Sequence, residues 1–133
     1  MKKAILGFTL IELMIVVAIV GFITAIAIPK FSELLERSRE GTTKGNIGSL
    51  RSAISIYYSD NEGKWPSDFL SFNSYLDPIP PAKATPLGNT NAITIHTGIP
   101  STTGVGWSYD SSTGDIWCNS VATDTRGVPF TSY

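Results

Sequence analysis

The first third of the chain is dominated by one apolar run, from Phe8 to Ile28. It contains a single charged residue, Glu12, which lies close to its beginning. At a rise of about 1.5 Å per residue, a helix over this run is roughly 31 Å long, which matches a bilayer hydrocarbon core of about 30 Å. The pattern therefore predicts a membrane-length helix over residues 8–29.

Residues 30–60 change to an amphipathic pattern, which predicts that the helix continues beyond the apolar run. Gly41, Gly45 and Gly48 disfavour helix and leave a loose or interrupted middle open, but the prediction is one long helix. The stretch also holds two charge pairs four residues apart in the favourable order, Glu33–Arg37 and Glu40–Lys44. The apolar positions are Phe31, Leu34, Leu35, Ile47, Leu50, Ile54, Tyr57 and Tyr58.

Gly63 and Pro66 predict the end of this helix, because a glycine suits a left-handed C-cap and proline does not continue a helix. Residues 61–91 are predicted as a loop region, with a brief helix over Ser67–Tyr75. The segment Asp77–Gly88 is predicted to be a surface loop because it contains four prolines, Pro78, Pro80, Pro81 and Pro86.

The last third, residues 92–133, alternates apolar and polar positions and predicts a small antiparallel sheet with a polar tail. One strand is expected at Ala92–Thr97, and a hairpin is expected where Val105–Tyr109 and Asp115–Cys118 flank the turn Asp110–Gly114. The predicted fold class is α+β, with one long N-terminal helix packed on this sheet.

Composition excludes several functions. Ten basic and eleven acidic residues give a net charge of −1, which provides no electrostatic reason to expect nucleic-acid binding. The chain carries none of the usual catalytic motifs, so no catalytic residue and no enzymatic activity are predicted. The single histidine, His96, is predicted at the surface. The single cysteine, Cys118, and the aromatic residues of the strands are predicted in the core.

The basic head before the apolar run, with Lys2 and Lys3, predicts a cytoplasmic N-terminus by the positive-inside rule. Three interpretations remain open at this point. The run is a secretory signal peptide cut near Ala25-x-Ala27, or a plain membrane anchor, or a helix retained after removal of a short leader.

Glu12 bears on this choice, since a carboxylate is costly within a membrane helix unless it has a partner. A cut between Gly7 and Phe8 creates such a partner, because it frees an α-amino group at Phe8. That amine lies about one turn away on the same chain, or belongs to a neighbouring chain.

The segment Gly7-Phe8-Thr9-Leu10-Ile11-Glu12 resembles the prepilin leader motif of type IV pilins and type II secretion pseudopilins. The resemblance runs from Lys2 to about Pro29 and extends more loosely to Pro66. It implies a leader of residues 1–7, cleavage after Gly7 by a prepilin peptidase and N-methylation of Phe8. It also implies that Glu12 neutralises the Phe8 amine of an adjacent subunit during assembly.

The same resemblance implies a homo-oligomeric helical filament that waits in the inner membrane as a single-pass protein and becomes periplasmic or extracellular on assembly. No nucleotide site is present in the sequence, so the implied partners include an assembly ATPase, a platform membrane protein and minor pilins or pseudopilins. Gly21 and Pro29 mark the weakest part of the helix on propensity grounds. In pilins the matching segment can bend or unwind.

Asp110, Ser112 and Asp115 supply the hard oxygen ligands that calcium prefers, and major pseudopilins carry calcium in their C-terminal loops. The usual acidic loop is not evident here, so Asp110 and Asp115 are only candidate ligands; no other cofactor or metal is predicted.

Short length, the Trp65-Pro66 segment and the single cysteine favour a secretion pseudopilin over a pilus subunit. The alternative from another class is a secreted binding module cleaved at Ala27.

Overall fold

The computed structural model describes residues 7–68 and 71–133. The chain divides into two units, Met1–Leu34 and Leu35–Tyr133. Most of the predicted leader, including Lys2 and Lys3, lies outside the described residues. The α+β class is confirmed by a long helix, three short strands and three short 3-10 helices.

Helix α1 spans Leu10–Asp60 and includes Pro29. The prediction of one long helix is confirmed, since α1 is continuous through Gly41, Gly45 and Gly48. Burial of one helix face explains this, since tertiary packing supplies more helix stability than intrinsic propensity does. The buried apolar residues of that face are Ile47, Leu50, Ala53 and Ile54.

The end of α1 follows the predicted glycine signal. Gly63 has a φ of 77° and its N–H donates to the carbonyl of Tyr58 at 3.0 Å. Glycine adopts this left-handed conformation without the steric cost of a Cβ atom. The ring of Tyr58 also stacks on Trp65, with the ring centroids 3.9 Å apart.

The sheet is mixed rather than antiparallel throughout, which corrects the sequence prediction. Strands β1 (Ile93–Ile95), β2 (Trp107–Tyr109) and β3 (Ile116–Cys118) lie in the order β1-β2-β3. The β2–β3 hairpin is antiparallel as expected, with Ser108 opposite Trp117. However, β1 runs parallel to β2, with Thr94 opposite Ser108. The long connection between β1 and β2 returns the chain to the same end of the sheet, which a tight hairpin does not do.

The core of the second unit lies between the sheet and the buried face of α1. Trp107 and Tyr109 of β2 are fully buried at its centre, as predicted for the strand aromatics. The remaining core residues include Phe72, Ala82, Ala84, Leu87, Ile116, Cys118, Phe130 and Tyr133.

The segment predicted as a surface loop instead contributes to this core. Ala82, Ala84 and Leu87 are all completely buried. The Thr43 hydroxyl of α1 accepts the N–H groups of Lys83 and Ala84, each at 2.9 Å. Buried backbone N–H groups need partners, and Thr43 supplies two of them, which allows a proline-rich segment to lie inside. Short 3-10 helices occur at Ser71–Ser74, in place of the longer helix predicted there, and at Thr85–Leu87.

The polar tail is also part of the folded unit. It forms an isolated bridge between Thr123 and Pro129 and ends in a 3-10 helix, Phe130–Ser132. The guanidinium of Arg51 donates to the carbonyl oxygens of Ile116 and Tyr133. Lys44 lies 4.4 Å from the centroid of the Tyr133 ring, so it makes a cation–π contact instead of the predicted pair with Glu40.

Candidate functional site

The first unit presents the apolar run as an almost bare surface. Phe8 is 84% exposed and Leu10 is 76% exposed, and the large apolar side chains that follow through Ile28 are exposed as well. By length and composition α1 is a candidate membrane span. Contiguous apolar surface of this extent marks a site that lipid or protein covers.

Glu12 caps the beginning of this helix. Its Oε2 accepts the backbone N–H of Thr9 at 2.8 Å and the Thr9 hydroxyl at 2.6 Å. In return, the Thr9 hydroxyl oxygen accepts the N–H of Glu12 at 3.3 Å. This is a capping box, in which the N-cap residue and the third helical residue satisfy each other's free donors. The T-x-x-E spacing of Thr9 and Glu12 signals this motif in the sequence, although sequence analysis passed over Thr9.

The capping box holds the Glu12 carboxylate within hydrogen-bonding distance of the residue that follows Phe8. Gly7, Phe8 and Thr9 precede the helix, and all three are exposed. The predicted cleavage bond between Gly7 and Phe8 therefore lies in non-helical, accessible chain. The predicted roles of these residues in processing, methylation and assembly stay predictions.

Gly21 and Pro29 lie inside α1, where a Cβ added at Gly21 would meet nothing within 4 Å. Proline has no N–H, so the helical hydrogen bond to the carbonyl four residues earlier, at Ala25, cannot form. Nearby, the Thr24 hydroxyl donates to the Val20 carbonyl at 2.7 Å, which satisfies the one hydroxyl in this half of the apolar run. The flexibility predicted at Gly21 and Pro29 stays a prediction.

Two carboxylates of α1 in the second unit hold distant loops, and Glu36 also pairs with Arg39 at 3.5 Å. Glu36 accepts the N–H of Thr85 at 2.7 Å and its hydroxyl at 2.5 Å. Glu40 accepts the N–H of Thr125 at 2.7 Å and its hydroxyl at 2.8 Å. We call these contacts the two threonine clamps. Sequence analysis missed them because the partners lie 49 and 85 positions away.

The calcium candidates lie on either side of the β-hairpin turn. The Asp110 carboxylate accepts the N–H and hydroxyl of Ser112 at 2.8 and 2.5 Å and the N–H of Gly98 at 2.7 Å. These hydrogen bonds, those of Ser112 foremost, lower the pKa of Asp110 to about 2. The carboxylate thus ties the turn to the β1–β2 connection. Within the described residues, no group of three or more metal-binding side chains includes Asp110 or Asp115. Calcium binding stays a prediction, which an unchanged melting temperature on adding chelator would remove.

A second buried carboxylate, Asp124, orders the tail. It accepts the N–H groups of Arg126 and Val128, each at 2.8 Å, and the Tyr133 hydroxyl at 2.8 Å. Burial opposes its ionisation, but these bonds outweigh burial and hold the pKa of Asp124 well below its ordinary value. The sequence predicted only a polar tail here and did not single out Asp124.

The remaining candidates lie where sequence analysis expected them. His96 is exposed, and its backbone N–H pairs with the carbonyl of Tyr109 at 2.8 Å. Cys118 is fully buried, and burial raises the pKa of its thiol to about 12.

Comparisons with known proteins agree with the motif predicted in the N-terminal segment. A family model described as the prokaryotic N-terminal methylation motif matches residues 2–28. The chain is 46% identical over 68 residues to the fimbrial protein EcpC of Eikenella corrodens, which covers 51% of this chain and 44% of that protein. It is 48% identical over 56 residues to the type IV major pilin protein PilA of Myxococcus xanthus, which covers 42% of this chain and 26% of that protein.

A third relative is the type IV major fimbrial protein FimA of Dichelobacter nodosus, 48% identical over 65 residues, or 48% of this chain and 42% of that protein. The chain thus spans less than half the length of these relatives. No solved structure matches the chain. A long helix whose second half packs on a small mixed sheet is consistent with the α+β pilin fold. In its N-terminal segment the chain is similar to type IV pilins and fimbrial proteins.

Proposed function

We propose that the protein is a structural subunit of a type IV pilus, polymerised through the first part of α1. The observation that carries this proposal is the combination of a bare apolar helix with one carboxylate fixed at its first turn, beside Phe8. An inert membrane anchor does not need that carboxylate. In a filament, neighbouring copies of the helix cover the apolar surface.

In this proposal a prepilin peptidase cuts the exposed bond between Gly7 and Phe8, and the new Phe8 amine is N-methylated. An unpaired charge is costly in an apolar filament core. The positive amine and the negative carboxylate therefore stabilise each other when they pair. Glu12 therefore accepts the Phe8 amine of an adjacent copy, and this contact fixes the stagger between subunits.

The membrane-inserted subunit has its N-terminus in the cytoplasm before assembly and its second unit across the inner membrane. An assembly ATPase and a platform membrane protein supply the force for extraction, and minor subunits join the filament. Gly21 and Pro29 supply the part of the helix that bends or unwinds on packing. Support for this last step is the helical hydrogen bond that Pro29 cannot donate.

A type II secretion pseudopilus is the second candidate, and the resemblance of the Trp65-Pro66 segment to pseudopilins favours it. The relatives above are named as type IV pilins and fimbrial proteins, which favours the pilus. Deletion of the gene separates the two: loss of surface filaments with normal protein export supports the pilus, whereas loss of export supports the pseudopilus.

The assembly role of Glu12 is tested by replacing it with alanine and with glutamine. We expect both variants to be processed and inserted but to yield few filaments, because both lose the negative charge. Glutamine is the more specific test, since its side-chain oxygen can still accept the hydrogen bonds of Thr9. Thr9→Val is the matched control, since it removes the capping hydroxyl and leaves the charge in place.

Filaments in sheared cell-surface fractions, compared with total processed protein on immunoblots, give the readout. Normal filaments from Glu12→Gln would defeat the charge-pairing role. If Thr9→Val were as defective as Glu12→Ala, the carboxylate would matter as a helix cap rather than as an assembly contact.

A further inference from the structure

A polar cleft of about 460 Å³ lies in the second unit, between α1 and the segment that follows the bridge at Ala82. Ser38, Arg39 and Thr42 line it from the helix. Lys83, Thr85, Gly88 and Asn89 line it from the other side. The lining thus holds two cationic side chains and several neutral hydrogen-bonding groups. No lining residue is acidic, although the Glu36 carboxylate contacts Arg39 and Thr85 at its edge.

The two cations retain unused donors. Arg39 uses Nη1 toward Glu36, at 3.5 Å, and toward the Thr85 hydroxyl, at 3.3 Å. A guanidinium has five N–H donors, and these two contacts engage only Nη1. Lys83 forms no ion pair with any residue in the described ranges. Its ammonium therefore brings three further donors to the cleft.

The wall that carries Lys83 is fixed by the fold. The Thr43 hydroxyl accepts the backbone N–H of Lys83, and Ala82 pairs with Thr90 across the segment, with 2.8 Å between Ala82 N and Thr90 O. Glu36 fastens Thr85 through one of the threonine clamps. The backbone that carries Lys83 is therefore already ordered before binding, which lowers the entropic cost of shaping the wall.

Asn89 adds a local strain at the same place. It has a φ of 47°, directly after Gly88 with a φ of 74°. A non-glycine residue in the left-handed region is uncommon and costs conformational energy, so it is often found where a loop is shaped for binding. Here the strained pair turns the loop so that both residues line the cleft.

We propose that this cleft binds a small oxyanion, carried by a phosphate or by the carboxylate of a sugar acid. Guanidinium and ammonium groups supply the charge-assisted donors that such anions select. The volume admits a group larger than inorganic phosphate, so the anion is the end of a larger polar molecule. This site belongs to the second unit alone and does not depend on filament assembly.

The test uses the full chain in a nonionic detergent at constant ionic strength, titrated with inorganic phosphate, glucose 6-phosphate and glucuronate. Backbone amide NMR shifts of Lys83, Thr85 and Asn89 locate the binding. We expect saturable shifts with a Kd of about 1 mM for at least one probe. Tighter binding of the two phosphates assigns the anion as a phosphate, and tighter binding of glucuronate assigns it as a sugar carboxylate.

Lys83→Gln is the decisive variant, because this side chain has no other role in the described fold. We expect it to weaken binding about tenfold, as the loss of one charge-assisted contact requires. Arg39→Gln should weaken it similarly. Lys64→Gln is the matched control, since it removes an exposed cation that does not line the cleft.

No shifts with any probe would overturn the proposal. An equal loss of affinity in Lys64→Gln and Lys83→Gln would also overturn it, because binding would then follow overall charge. Neither result touches the filament proposal, whose readout is assembly.

Discussion

Ser108 carries a buried hydroxyl that lowers the stability of the fold. It lies in the central strand β2 and is 1% exposed, and its hydroxyl has no hydrogen-bond partner among the described residues. A buried polar group without a partner has lost its hydration and regained nothing, at a cost of about 1–3 kcal/mol. Its neighbours across the strands are Thr94 and Trp117.

We therefore expect Ser108→Ala to raise the free energy of unfolding by about 1 kcal/mol. Urea unfolding of the full chain in detergent, followed by near-ultraviolet circular dichroism, measures the change. The control is Ser101→Ala in an exposed loop, where no change is expected. A loss of stability in Ser108→Ala would contradict this account, because it would mean that the hydroxyl has a stabilising partner.

Cys118 should be chemically silent in the folded protein. The thiolate is the reactive form, and burial raises the pKa of this thiol to about 12. We expect no maleimide adduct by mass spectrometry at neutral pH and complete labelling in denaturant. Rapid labelling of the native protein would show that β3 opens readily.

At this scale the sequence was informative wherever a residue's role depends on near neighbours. The glycine C-cap at Gly63 and the buried position of Cys118 follow from local pattern. The Ser108 hydroxyl does not, since its burial depends on what covers the far side of the strand. Thr9 is the opposite case, because its capping box with Glu12 is a purely local signal.

At the scale of elements, the threonine clamps fasten two distant loops to consecutive turns of α1. Sequence periodicity predicted the helix but interpreted Glu40 as the i,i+4 partner of Lys44. In the structure Glu40 is 4% exposed and serves Thr125. Pairing over 85 positions cannot be read from spacing, and the same limit explains why the parallel placement of β1 was missed.

Removal of the Glu40 clamp, which is buried, should lower the free energy of unfolding more than removal of the Glu36 clamp. We expect Glu40→Ala to lower the free energy of unfolding by about 2 kcal/mol, because it leaves the Thr125 N–H without a partner. Glu36→Ala is the matched comparison and should cost less than about 1 kcal/mol, since its side chain is 22% exposed and water replaces it.

Denaturant unfolding of both variants gives the comparison, and Thr125→Val isolates the contribution of the hydroxyl. Equal losses in the two glutamate variants would show that burial does not distinguish the clamps.

At the scale of the whole molecule, the two buried aspartates make stability depend on acid. Hydrogen bonds lower the pKa of Asp110 to about 2, and the pKa of Asp124 is lowered as well. Both groups ionise more readily in the folded chain than in the unfolded chain, where an aspartate has a pKa of about 3.9. Their contribution is therefore complete above about pH 4 and is lost as the pH falls toward 2.

We expect the free energy of unfolding to fall steadily between about pH 4 and pH 2, and to fall less steeply in Asp110→Asn and Asp124→Asn. Urea titrations at a series of pH values measure these slopes. Unchanged slopes in both variants would assign the acid sensitivity to other carboxylates.

The chain combines a folded second unit, with its own core, and a first unit whose large apolar helix side chains are exposed in the part that the structure describes. The sequence already indicated this division, because an unbroken apolar run is the strongest pattern in the chain. It did not reveal how the proline-rich segment and the polar tail enter the core. Those placements depend on Thr43 and Arg51 meeting residues far along the chain.

The N-terminus of the mature protein tests most directly whether the filament is built from the apolar helix. Mass spectrometry on filaments sheared from cells determines it. We expect a chain that begins at N-methylated Phe8 and retains Glu12 and the apolar helix. A mature chain that begins at Ile28, after cleavage at Ala27, would contradict it, because the helix proposed to form the filament would then be absent.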